Sequence, residues 1–191
     1  MLVCVTGEIG SGKSTALKII KSCGYCTFEM DDYIHHIYKK NNIGYQLIKQ
    51  HFGSDYVSQV AVNRKKLGKL VFSNPAELKK LNKLMIPLMQ EKLAEKSEKS
   101  TLLFVAMGIF MYQKTAFTRY FNTVILIDTK KSLKNKNFRK KMSYLRKFPT
   151  SLVGKSKYHT KTKNSPKYIV VGNHENLKKF RAKILKILRI F

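Results

Sequence analysis

Short stretches in which nearly every side chain is apolar interrupt a chain otherwise patterned at helical spacing. Leu2–Val5, Thr101–Met107, Thr123–Asp128 and Tyr168–Val171 are such runs, the pattern of strands buried on both faces of a parallel sheet. Tyr25–Phe28 reads as a further strand, because Gly24 before it is a helix-terminating residue. Thr15–Ile20 has the spacing of a helix behind the first strand. Gly44 to Glu98 is helical with interruptions: Asn74 is placed to cap a helix with Pro75 first and Glu77 third, and Leu78, Leu81, Leu84, Met85 and Leu88 form its apolar stripe. Pro87 is expected to end or kink that helix. Leu177, Phe180, Ile184 and Leu188 line one face of a closing helix. The fold class that follows is α/β, a parallel five-stranded sheet flanked by helices. A single domain is expected, with a core of about 1–38, 101–128 and 168–191, a helical insertion of about 44–98 and a basic segment of about 129–167.

The first strand feeds Gly7-Glu8-Ile9-Gly10-Ser11-Gly12-Lys13-Ser14-Thr15, which fits the phosphate-loop pattern G-x-x-x-x-G-K-[ST] in the strand–loop–helix context that gives it meaning. Glycines at 7, 10 and 12 let successive N–H groups approach phosphate oxygens without a Cβ in the way. The helix N-terminus adds unpaired N–H groups and its positive dipole end. Lys13 supplies a point charge for the outer phosphates, and the Ser14 hydroxyl is a magnesium ligand. The expectation is a P-loop NTPase fold binding ATP and Mg2+ through Gly7, Gly10, Ser11, Gly12, Lys13, Ser14 and Thr15.

The second strand ends in Glu29-Met30-Asp31-Asp32, carboxylates at the strand end where such folds place their ligands. One aspartate is suited to capping a helix from Tyr33 to Tyr38, and Asp31 is read as the one that does chemistry. His35 and His36 have no acidic or cysteine partner at metal-ligand spacing and read as surface or groove residues. Thr101–Met107 lacks the acid that a Walker-B strand carries at its end, so magnesium leans on Ser14, the nucleotide phosphates, water and Asp31.

Composition widens the field of partners. Lys and Arg number 38 against 11 Asp and Glu, a formal +27, which favours polyanions. The excess also matches a general lysine bias, since Lys39-Lys40, Lys65-Lys66 and Lys79-Lys80 spread it along the chain. No acid occurs between Asp128 and Glu175, and Tyr144, Phe148, Tyr158 and Tyr168 could stack on bases there. Without an RNA-binding signature, weak electrostatic nucleic-acid binding is the expectation. Three cysteines, with Cys23 and Cys26 in a lone C-x-x-C, do not make a zinc site. No run approaches 18 apolar residues, and a soluble cytoplasmic protein without a membrane span is expected. The oligomeric state is not encoded in any pattern found.

Over most of its length the chain resembles the dephospho-CoA kinase family, of the nucleoside-monophosphate-kinase type. The family's opening Thr-Gly-Gly-Ile-Gly-Ser-Gly-Lys-Ser-Thr differs from Thr6–Thr15 at Glu8 only, and its Asp-Ala-Asp is matched by Glu29-Met30-Asp31. Its Phe-Gly is matched by Phe52-Gly53, and its Asp-Arg-x-x-Leu by Asn63-Arg64-Lys65-Lys66-Leu67. Val71-Phe72, Asn74-Pro75, Leu81-Asn82 and Ile86-Pro87 continue the likeness. Departures fall at Gly68 for an arginine, at Ile86 for a histidine, and in Met107–Met111, which lacks the family's acid. The family's late Asn is matched by Asn173, with Gly172 in place of an acid. The resemblance implies transfer of phosphate from ATP to the 3′-hydroxyl of dephospho-CoA, giving coenzyme A. Lys13 and Asp31 would be catalytic, Asp31 and Arg64 would hold the acceptor, the insertion would bind it, and the basic segment would be a lid. The departures leave room for another nucleotide-like acceptor, and the charge for a nucleic-acid-binding P-loop ATPase.

Overall fold

A computed structural model describes residues 1–108, 117, 120–129 and 166–191. Five strands, β1 (Leu2–Gly7), β2 (Cys26–Glu29), β3 (Leu103–Gly108), β4 (Thr123–Asp128) and β5 (Lys167–Gly172), form one sheet in the order β2-β3-β1-β4-β5. Every pairing is parallel. β1 is central, with Val3 opposite Phe104 on one side and Thr123 on the other. That position is why its run is apolar throughout: Val3, Cys4 and Val5 are fully buried. Burial pushes the Cys4 thiol well above its ordinary range, so it behaves as a small hydrophobe.

Helix α1 (Lys13–Ser22) follows β1 directly. It buries Ala16, Leu17, Ile19 and Ile20 in the same cluster as Val3, Val5 and the C-terminal helix residues Phe180, Ile184 and Leu188. That last helix, α6 (Leu177–Leu188), is capped by Asn176, whose side chain accepts from the Lys179 N–H. Leu177, expected on the packed face, is 64% exposed because it opens the helix one turn before the buried stripe begins. Phe104 sits at the centre of this core, edge-on to Tyr25 and Phe191 with ring centroids 5.4 and 5.3 Å away. Phe104→Ala is expected to remove about 3–5 kcal/mol of stability by leaving a cavity. A denaturant midpoint that falls at unchanged slope would check it.

Contacts divide the chain into two units, Met1–Glu29 with Ser97–Phe191, and Met30–Lys96. The second unit is helical: α2 (Met30–Ile37), α3 (Ile43–Phe52), a 3₁₀ turn at Ser54–Tyr56, α4 (Arg64–Ser73) and α5 (Pro75–Glu98). Ile37, Tyr38, Ile48, Val62, Leu67, Val71 and Met85 are its core. Asn74 caps α5 as expected, accepting from the N–H of Ala76 at 3.0 Å. Pro87, expected to end or kink this helix, does not end it. α5 runs through it because Met85 and Met89 on either side are buried while Pro87 itself is exposed, and packing outweighs one missing backbone hydrogen bond.

A second correction concerns the aspartates. Glu29 remains in the ladder opposite Ala106 and Met30 already begins α2, so no loop position is left for a capping aspartate. Asp31 and Asp32 both lie in the first helical turn, where negative charge meets the positive dipole end. The basic segment falls outside the described residues except at Thr129 and the stretch from 166 onward, as do 109–111 of the Met107–Met111 stretch.

Candidate active site

The loop between β1 and α1 is shaped by its glycines. Gly10 and Gly12 have φ of +77° and +99°, backbone that L side chains rarely adopt. A Cβ on Gly12 would stand 2.6 Å from Asn173 Nδ2, and one on Gly7 would stand 2.5 Å from Ser11 Oγ and 2.6 Å from the Ile127 carbonyl. The tight wrap is closed by the Ser11 N–H donating to the Glu8 carbonyl at 3.1 Å. Gly12 then serves as the helix cap with no side-chain acceptor, leaving the first-turn N–H groups of α1 facing the loop.

The expected loop residues are brought together as follows. Lys13 Nζ donates to the Gly7 and Glu8 carbonyls at 3.2 and 2.9 Å, which holds the ammonium across the mouth of the loop. Ser11 is buried and its hydroxyl has no hydrogen-bond partner among the described residues. Ser14 and Thr15 lie in the first turn of α1, and the Ser14 hydroxyl donates to the Glu29 carboxylate at the end of β2. A hydroxyl beside a carboxylate is the hard-oxygen set that Mg2+ accepts, with its remaining positions filled by water and phosphate. Among the described residues no group of three or more His, Cys, Asp or Glu could hold a metal by itself. The glycine cradle, the lysine and this oxygen pair fit Mg-ATP.

The stretch after β5 braces this loop. Asn173 Nδ2 donates to the Ser11 carbonyl at 2.9 Å, and the Asn173 N–H donates to the Asp128 carbonyl at 2.7 Å. The segment is tied down by Lys183, whose Nζ donates to the Gly172 carbonyl and to Glu175, each at 3.0 Å. Hydrogen bonds from Lys179 and Lys183 hold the Glu175 carboxyl down at about 2. Next to it His174 Nε2 lies 3.8 Å from Asp128 Oδ2. Asn173 was visible in the sequence only as a family match, because a bond spanning 162 residues leaves no local pattern.

The other two expected residues belong to the helical unit. Asp31 is an exposed carboxylate on the first turn of α2, and Arg64 is the first residue of α4, exposed as well. His35 is exposed one turn beyond Asp31. Tyr38, which the sequence did not single out, is buried. Burial pushes its phenol up to about 12, against the opposing pull of the Arg64 charge.

A family model described as dephospho-CoA kinase matches residues 1–144. The dephospho-CoA kinase of Mycoplasma genitalium is 29% identical over 199 residues, covering 100% of this chain and 93% of the relative. That of Mycoplasma pneumoniae is 36% identical over 133 residues, 67% of this chain and 66% of the relative. Among solved structures, the dephospho-CoA kinase from Campylobacter jejuni superposes with a TM-score of 0.65 at 21% identity, over 98% of this chain and 95% of that one. A P-loop that fits Mg-ATP, set in this sheet and matched over this much of its length, shows that the chain belongs to the dephospho-CoA kinase family, a family of ATP-dependent small-molecule kinases.

Proposed function

We propose that this chain transfers the γ-phosphoryl group of ATP to the 3′-hydroxyl of dephospho-CoA, with Lys13 and Asp31 as its catalytic residues. The observation that carries the reading is the phosphate loop with Lys13 held across its mouth, in a chain of this family. Phosphoryl transfer needs little covalent help from a protein, so its chemistry rests on placement and charge.

In this reading the loop N–H groups from Gly10 to Thr15 hold the phosphate chain, and the helix dipole of α1 favours its negative charge. Lys13 moves its hydrogen bonds from the Gly7 and Glu8 carbonyls to the outer phosphates and follows charge as it develops. Ser14, with Glu29 behind it, would hold Mg2+, which when bound would neutralise charge on the phosphate oxygens. Asp31 accepts the proton of the acceptor hydroxyl or orients it for attack. Arg64 holds the acceptor, its guanidinium suited to a phosphate or polar group.

No helix among the described residues is long and apolar enough to cross a membrane, which accords with small, water-borne substrates. Incubating the protein and Mg-ATP with a panel of acceptors, and reading ADP release, tests the choice of acceptor. Dephospho-CoA is expected to give the highest kcat/KM, with the product carrying the new phosphate on the 3′-oxygen. A faster reaction with another nucleotide-like acceptor would move the assignment there. Tight, sequence-selective RNA binding at physiological salt, with no transfer to any acceptor, would replace the kinase reading altogether.

A further inference from the structure

Helices α1 and α6 pack side by side against one face of the sheet, and Leu17 and Ile20 of the first share a core with Phe180, Ile184 and Leu188 of the second. Their outer sides face water. Exposed there are Lys18 and Lys21 on α1, with Lys178, Arg181, Lys186 and Arg189 on or at the end of α6. Neither helix contains an acid. Glu175, just before α6, is taken up by Lys179 and Lys183 at 2.9 and 3.0 Å. None of the six exposed cations forms an ion pair among the described residues.

The lysine richness of the chain does not by itself produce such a layer. Helix α5 is also rich in lysine, yet it carries Glu77, Glu91, Glu95 and Glu98 among its lysines. On α6, helical spacing places Arg181, Leu185 and Arg189 in one outward row and Lys178, Ala182 and Lys186 in the row beside it. All six are exposed. Ala182 and Leu185 therefore form a small apolar centre with a cation one turn away at each end of both rows. Leu185 is 37% exposed, and Ile190 at the end of the helix is 45% exposed.

Unpaired cations around an apolar centre complement a layer of phosphates with hydrocarbon behind it, which is an anionic bilayer surface. The cations meet the head groups while Leu185 reaches past them. The helix itself does not insert, because its main apolar stripe is already packed in the core of the sheet unit. Single-stranded nucleic acid is the poorer match. It is held largely by stacking on aromatic rings, and neither helix exposes one: α1 has none, and Phe180 of α6 is 1% exposed.

We propose that the outer face of α1 and α6 is a docking surface for an anionic phospholipid bilayer, with Arg181 and Arg189 as its main phosphate contacts and Leu185 seated among the head groups. It is a second surface, separate from the phosphate loop, and it holds whichever acceptor the kinase uses.

The test is sedimentation of the full chain with vesicles of phosphatidylcholine alone and of phosphatidylcholine with about a quarter phosphatidylglycerol, at about 0.1 M salt. Binding is expected to the anionic vesicles and not to the neutral ones. Arg181→Gln/Arg189→Gln should bind the anionic vesicles about thirtyfold more weakly, since each basic residue near such a surface contributes to the partition. Lys178→Gln/Lys186→Gln carries the same expectation and tests the face independently of Arg189, which caps the helix. Leu185→Gln should weaken binding about threefold, as only its exposed part can reach the bilayer. Lys79→Gln/Lys83→Gln, an equal loss of charge at exposed positions of α5, should leave binding close to that of the wild type. No sedimentation with anionic vesicles, equal weakening by the α5 and α6 substitutions, or unchanged binding by Leu185→Gln would each overturn the proposal. A short RNA duplex that displaces the protein from vesicles, and whose binding is lost with the same two arginines, would reassign the face to nucleic acid.

Discussion

Asp31→Asn is expected to lower kcat for the acceptor by about 10²–10⁴-fold, the range a positioned general base contributes, while Mg-ATP affinity stays close to that of the wild type. The substitution keeps the shape of the side chain and removes its capacity to take a proton. Asp31 lies exposed on α2, buries no apolar surface and is outside the helical unit's core, so the change should not disturb folding. Its place in the first turn of α2 makes a small loss of helix stability the only structural effect, about 0.3–1 kcal/mol from the weakened dipole interaction. Single-turnover kinetics with acceptor, beside calorimetry with Mg-ATP, would check the result. Turnover that survives intact would remove Asp31 from the chemistry and leave positioning as the whole of the mechanism.

Lys13→Ala carries the second large effect, and it falls on the nucleotide. Removing one preorganised donor from developing charge slows catalysis by about 10²–10³-fold, and here ATP binding should weaken as well because the same ammonium meets the ground-state phosphates. The loop itself should persist. Its closure depends on the Ser11-to-Glu8 backbone bond and on the Asn173 brace at the Ser11 carbonyl, neither of which involves the lysine side chain. Lys13→Arg should recover only part of the activity, since a planar fork cannot reproduce a compact ammonium held between the Gly7 and Glu8 carbonyls. The measurement is kcat/KM for ATP across the three proteins, with thermal midpoints alongside. An alanine variant that binds Mg-ATP as the wild type does would sink the role given to Lys13.

Much of this was legible before any coordinates. β1, β3, β4 and β5 announce themselves as apolar runs because a parallel sheet covered on both faces has no polar side to show, and Thr123–Asp128 has the same bounds in both readings. The phosphate loop is legible for a related reason: glycine is almost the only residue for the backbone at 10 and 12. Where the reading failed, distant packing had overruled local chemistry. Pro87 breaks a helix in isolation but not one whose next turn is anchored by buried Met89. One of the two aspartates after β2 looks like a cap for a helix from Tyr33 until β2 is seen to hand over to α2 with no residue between them.

The strand order has a consequence for how the chain comes off the ribosome. β1 is finished first, yet Leu2 pairs with Leu103 and Val3 with Thr123, so the centre of the sheet waits for segments made about a hundred residues later. The helical unit is one uninterrupted stretch, Met30–Lys96, and its partners are all close in sequence. Synthesis at about 5–20 residues per second gives that unit several seconds of head start, during which the buried central strand β1 is still unpaired. Loop closure over that distance is slow as well as late. The piece of sequence that carries the phosphate loop is thus made before the strands that secure it, and the nascent chain passes through a period in which the helical unit can be native while the sheet is still open to chaperones and proteases.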